Sequence, residues 1–291
     1  MPVTFVVIPQ WQGSVSTRAM SHADGAHAIA GDLPSRATRF VDVPTEAGES
    51  LGSGVKRYST LARVRERIAA ALAEAPGWPF LVGGDCGVSV SALEHLRQRD
   101  ADDGLAVLWL DAHPDLHSPE SSPSGGFGGM SLRAILGDGA EGLALRSPHA
   151  LAPSRLVIGG ARSIDPGEHD YAEAHGIPLL TVEDLADPAV VIGALEAAGA
   201  RSVYVHVDLD VLDPGALSGL SYPLPFGASA ETLAALLRAV ATRFPVAGAA
   251  VAGFAPGSPE QANDDLPTIL RLIGAVTAGA KTHEEPQDAA S

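Results

Sequence analysis

The chain has 291 residues, 46% of them hydrophobic, which is enough to bury the core of one large α/β domain. Its 35 acidic against 19 basic residues give a net charge of −16, which repels polyphosphates and argues against nucleic acid as a partner. The single cysteine, Cys86, excludes an intramolecular disulfide.

In chain order, TFVVIPQ near the N-terminus reads as a buried strand. Its apolar run is too short for a signal or a membrane span and no basic residues precede it, so the expectation is a cytoplasmic protein off the membrane. A helix is expected over 58–75, where Leu61, Val64, Ile68 and Leu72 recur at three or four residues. FLVGG is a strand, followed by a helix over 88–98 that Ser89 starts. LAVLWLDAH, RLVIGGAR, PLLTVEDL, SVYVHVDLD and AGAAVAGFAP read as further strands, with helix-length segments at 130–136, 167–175, 188–199 and 229–243 between them. Continuous apolar strands alternating with helices predict a three-layer α/β/α sandwich with a mostly parallel central sheet. We expect one domain over 1–280 and a fraying C-terminal tail at 281–291. Gly and Pro cluster at 117–129 and 213–228, after two Asp-rich strand ends, where they would form the mouth of a site at the carboxyl edge of the sheet.

Those strand ends carry the chemistry. In LWLDAHPDL, Asp111, His113 and Asp115 alternate, so an extended chain points all three to one side. In SVYVHVDLDVLDPG, Asp208 and Asp210 close an apolar strand before Asp213-Pro214 turns the chain. An isolated Asp-x-Asp is as often a turn as a site. Two such carboxylate clusters at the ends of apolar strands, with one imidazole, read as ligands of a dinuclear metal site, because crowded carboxylates raise one another's pKa unless a cation neutralises them. Mostly carboxylate ligation suits Mn²⁺ or Mg²⁺.

FLVGGDC, LDAHPDL with its S-P-S-G continuation, GGARSIDPGE and VHVDLDVLDP, in that order, resemble the four signature regions of the ureohydrolases, the family of arginase, agmatinase and formiminoglutamase. The resemblance runs from residue 80 to residue 256, with an echo in PQWQGS. It implies an arginase-like fold, two Mn²⁺ ions, a homo-oligomer (trimer or hexamer), and hydrolysis of a C–N bond in a small guanidino or amidino substrate by a hydroxide bridging the metals. Carried over, it makes Asp111 and Asp208 the bridging carboxylates, with Asp115 completing one ion's shell and His113 and Asp210 the other's. Asp115 is also a catalytic candidate there. Ser122, Ser124 and Asp165 match positions that line the amino-acid end of the substrate.

Three positions depart from the family pattern. Cys86 stands where a metal-binding His is usual, and a thiolate prefers softer ions. Gly128 stands where arginases carry a proton-shuttling His; His117, in the mouth loop, and His206, on the strand face of Asp208 and Asp210, are the candidates to replace it, and His117 also matches a substrate-binding position. Gly253 stands where the guanidinium-binding Glu is usual, and Glu260, seven residues on, is the candidate to replace that carboxylate. The first two departures resemble the branch that acts on Nω-hydroxyarginine. Two other readings stay open: a metal-binding or regulatory homologue with impaired catalysis, and a metallohydrolase acting on an uncharged amide or amidine.

Overall fold

The computed structural model describes residues 2–99 and 104–280; the expected tail at 281–291 lies outside the described residues. Among the described residues eight strands, β1 (Val3–Ile8), β2 (Thr38–Phe40), β3 (Trp78–Gly83), β4 (Leu105–Leu110), β5 (Leu156–Gly159), β6 (Leu179–Leu180), β7 (Ser202–Asp208) and β8 (Val246–Ala252), form one sheet in the order β2-β1-β3-β8-β7-β4-β5-β6. Every neighbouring pair is parallel. The expectation of a mostly parallel sheet therefore holds, and the reason is visible in the strands: β3 and β4 are buried at every position, as a parallel strand covered on both faces must be.

Eight α-helices among the described residues cover the sheet: α1 (Ser21–Gly31), α2 (Tyr58–Glu74), α3 (Val88–Arg99), α4 (Ser131–Ile135), α5 (Pro166–Ala174), α6 (Pro188–Ala197), α7 (Ala230–Arg243) and α8 (Pro259–Ala280). Alternation along the strands divides the core in two. Val7, Val82, Leu108, Val205 and Val251 face α1, α6, α7 and α8, packing against Ile29, Leu195, Leu236 and Ile273. Val6, Leu81, Trp109, Tyr204 and Ala250 face α2 to α5, where Leu61, Val64, Ile68 and Leu72 form the apolar stripe read from the sequence.

Three elements were not legible. β2 is a three-residue edge strand with no fully buried position. The buried face of α1 consists of His22, Gly25, Ala26 and Ile29, too small and polar to give a clear hydrophobic period. α8 contains Pro267, a helix breaker by local propensity, and is held by packing of Ile269, Leu272, Ile273 and Val276. Ser89 lies inside the first turn of α3, and its buried hydroxyl meets His206 instead of starting the helix. No helix among the described residues is long and apolar enough to cross a membrane.

Candidate metal centre

Sheet register builds the site. Leu110 of β4 pairs with Val207 of β7, so the next residues, Asp111 and Asp208, emerge side by side at the carboxyl edge. β3 and β8 lie beside β7, and the turn after β3 delivers Cys86, whose Sγ is 2.9 Å from Asp208 Oδ2 and 3.9 Å from Asp111 Oδ2. His113 Nδ1 lies 3.1 Å from Asp210 Oδ2 and 3.5 Å from Asp111 Oδ1. Backbone amides hold the carboxylates: His113 N donates to Asp111 Oδ1, Ala112 N to Asp210 Oδ1 and Asp210 N to Asp208 Oδ1. Asp115, in the left-handed backbone region at φ 53°, is buried, and its Oδ2 has no hydrogen-bond partner. Donor atoms of Asp111, His113 and Asp210 lie within 4.8 Å of one another, as do those of Cys86, Asp111 and His206.

All four carboxyls are raised above their ordinary range. Burial is the main cause throughout, joined by the charge of Asp208 on Asp111, of Asp111 on Asp115 and Asp210, and of Asp210 on Asp208, which reaches about 7. Burial also pushes the Cys86 thiol up, and Asp208, Asp115 and Asp111 add to it. His113 goes the other way from most buried imidazoles: burial draws it down, but Asp111 and Asp210 together outweigh that and push it up to about 12. A lone protonated imidazole among four buried carboxyls does not neutralise them. A donor set of this charge, with an orphaned Asp115 oxygen, fits divalent cations.

The cluster floors a cavity of about 240 Å³, a size suited to a small molecule. Both glycine-rich loops reach it, through Ser124, Gly126, Gly128 and Gly129 from one and Ser221 and Tyr222 from the other. His117 lines the wall, with Nε2 at 3.0 Å from Asp165 Oδ2 and 3.6 Å from Glu168 Oε2. Asp165 is at the same time the N-cap of α5, in a capping box with Glu168. Ser122 is set back from the wall, accepting from Gly125 N, with its hydroxyl 3.5 Å from that of Ser124.

Two more expected residues are elsewhere. Glu260 sits exposed in the first turn of α8 and does not line the cavity, so it does not replace a carboxylate at Gly253. His206 is not in the cavity wall: it is fully buried, stacked on Trp109 with ring centroids 3.6 Å apart, and burial lowers it to about 3, which removes it as a proton carrier to substrate.

The two glycine departures differ physically. A Cβ on Gly128 would meet only the Gly13 carbonyl oxygen, at an ordinary 3.6 Å. Gly253 has φ 85°, and a Cβ there would lie 2.1 Å from Asp208 Oδ1. Gly253→Ala should therefore cost about 1–2 kcal/mol in backbone strain alone. It should also displace a metal-site carboxylate, with a loss of metal affinity of about tenfold or more. Thermal melting and Mn²⁺ titration of the purified variant check this; unchanged affinity would show that Asp208 has room to move.

The sequence reading missed Glu168, Asp85, His22 and Ser221, which all line the cavity. Glu168 accepts from Leu116 N and Asp165 N, a helix-capping pattern that gave the D-P-G-E run a sufficient local explanation. Asp85 is raised to about 6 by burial and takes hydrogen bonds from Gln10, Gly13 and Gly87. His22 bridges the Gly84 carbonyl oxygen and Ser221 Oγ, contacts 62 and 199 residues apart in sequence that no local pattern announces.

Residues 14–269 match the arginase family. Arginase of Staphylococcus aureus (strain COL) is 29% identical over 197 residues, covering 62% of this chain and 65% of that protein, so the chain spans just under two thirds of that relative's length. N(omega)-hydroxy-L-arginine amidinohydrolase of Streptomyces lavendulae is 29% identical over 273 residues, or 90% of this chain and 93% of the relative. Among solved structures, Entamoeba histolytica arginase in complex with L-ornithine superposes with a TM-score of 0.82 at 22% identity, covering 94% of this chain and 98% of that one.

Proposed function

This chain belongs to the arginase family, and on that premise we propose that it hydrolyses a carbon–nitrogen bond in an arginine-like or Nω-hydroxyarginine-like compound with two divalent cations, Mn²⁺ first among them. The observation that carries the reading is the buried convergence of Asp111, Asp115, Asp208 and Asp210 around His113 on the floor of a small cavity. Asp111 and Asp208 would be shared between the cations, with Asp115 and Cys86 toward one and His113 and Asp210 toward the other. Such a pair of cations lowers the pKa of water and polarises the amidino group.

The chain's own residues do the rest. The cavity walls hold the planar amidino group over the carboxylates and keep bulk water away. Asp115 lines the cavity with two carboxylate oxygens, so one can face a cation while the other accepts a proton from water. His117, in the cavity wall, is the candidate to return a proton to the leaving amine, a task Gly128 cannot perform, and would do so by releasing Nε2 from Asp165 Oδ2, 3.0 Å away. Ser124 and Asp165 offer polar contacts to the distal end of the substrate.

The test is direct. Mn²⁺-loaded protein is incubated with arginine, Nω-hydroxyarginine, agmatine, guanidinobutyrate and formiminoglutamate, with products followed by mass spectrometry, and cleavage of at least one is expected. Silence across the panel, in protein shown to hold two metals per chain, would overturn this reading. One observation favours a second: Gly253 carries no carboxylate and Glu260 does not reach the cavity, so a guanidinium loses a charge-assisted contact, and an uncharged amide or amidine suits the wall better. Turnover restricted to neutral substrates would select it.

A further inference from the structure

A second buried imidazole, His206 of β7, lies beside Cys86. Cys86 Sγ, an Asp111 oxygen and a ring nitrogen of His206 lie within 4.8 Å of one another, and all three residues are buried. His206 Nε2 is a buried atom with no hydrogen-bond partner, an unusual state for a ring nitrogen in a packed core. Its other nitrogen is occupied: Nδ1 is 2.8 Å from Ser89 Oγ, and the same hydroxyl oxygen accepts from Tyr204 OH at 2.9 Å. A serine oxygen has two lone pairs, so it can accept from Tyr204 and from His206 Nδ1–H together, which is the tautomer a coordinating Nε2 requires. That leaves the Nε2 lone pair free to coordinate. Metal-ligating histidines commonly have this arrangement, in which the second ring nitrogen donates to a fixed acceptor that sets tautomer and orientation. Trp109 completes the support: it stacks on the His206 ring at an interplanar angle of 12° and donates Nε1–H to Asp111 Oδ2 at 3.2 Å.

We propose that His206 is a metal ligand, forming with Cys86 and Asp111 a nitrogen–sulfur–oxygen seat for one of the two cations. The inference rests on the dinuclear reading above and adds a difference between its two halves. On the dinuclear reading Asp111 and Asp208 serve both seats; His113 and Asp210 complete one with oxygen and nitrogen, which suits Mn²⁺ or Mg²⁺, whereas the thiolate of Cys86 and the imidazole of His206 shift the other toward a borderline-soft ion such as Zn²⁺ or Co²⁺. The two halves of the centre thus favour unlike metals.

The test uses the full chain, stripped of metal and loaded with one equivalent of Zn²⁺ or Co²⁺. Zinc X-ray absorption should show one sulfur at about 2.3 Å and imidazole scattering. Cobalt should give a thiolate charge-transfer band in the near ultraviolet that Cys86→Ser removes. In His206→Phe, with the fold checked by circular dichroism, the imidazole scattering should fall and Zn²⁺ affinity should drop by more than about 100-fold, beyond what loss of a residue merely supporting a ligand causes. His206→Gln guards against a folding failure in the larger replacement and should lose the imidazole signal equally. Absence of sulfur scattering in the wild type, or imidazole scattering unchanged in both variants, would overturn the proposal and leave His206 as a packing residue. The two readings fail separately: guanidino hydrolysis by a protein without the sulfur signature sinks the seat alone, and the signature without hydrolysis sinks the proposed reaction alone.

Discussion

Asp208→Asn should leave a folded protein that hydrolyses no guanidino compound and binds Mn²⁺ at least about 100-fold more weakly, since loss of a shared ligand must exceed the 10- to 100-fold cost of losing a residue behind one. Asparagine keeps the shape, and its amide oxygen can still accept from Asp210 N as Oδ1 does at 2.9 Å. What it loses is the charge, together with the acceptor for the Cys86 thiol on Oδ2. The metal-free variant should also melt higher than the metal-free parent at pH 8, because one of four mutually repelling buried carboxylates has gone. Metal content by elemental analysis, Mn²⁺ titration calorimetry and melting curves read the three effects independently. Activity surviving in the variant would remove the dinuclear reaction, and reduced melting with intact metal binding would assign Asp208 to structure.

Much of this centre is legible in the sequence because two simple rules generate it. Alternation along a strand brings Asp111, His113 and Asp115 to one edge, and a parallel sheet places the ends of neighbouring strands together, so Asp208 had to lie near them if β4 and β7 were adjacent. That adjacency comes from the strand order, which hydrophobic patterning does not reveal. Register likewise decides the fate of His206: the alternation that groups it with Asp208 does not disclose that its partner across the ladder is Trp109, which turns it from a wall residue into a buried one. His22 and Ser221 meet only because the chain ends up beside itself after some two hundred residues. Gly253 shows the opposite limit: sequence comparison notes a missing carboxylate, while the structure shows a positive φ and the Asp208 carboxylate in the place a Cβ would take.

The metal-free protein should lose thermal stability as pH rises from 6.5 to 8.5, by roughly 5 °C, while saturating Mn²⁺ reverses the trend. The sign follows from which state holds more protons. Asp208 is raised to about 7, and Asp111, Asp115 and Asp210 are raised as well; each contributes stability that is complete below the ordinary carboxyl range and lost as pH climbs through its folded value. His113, raised to about 12, contributes stability present below 6.5 and lost progressively above it, so it acts in the same direction. Opposing them, His22 and His206 are lowered to about 4 and 3; they contribute stability above 6.5 that is lost as pH falls, which confines their effect to acid conditions. Above 6.5 the slopes therefore add without opposition from these two. Cation binding requires the same groups deprotonated, so affinity, and with it the stabilisation by Mn²⁺, grows over that interval. Melting curves of chelator-treated and Mn²⁺-saturated protein at pH 6.5, 7.5 and 8.5 should diverge steadily. A metal-free melting temperature that stays level or rises would mean that the carboxylates are not crowded into one charge-deficient cluster, and the case for two cations at these strand ends would lose its electrostatic basis.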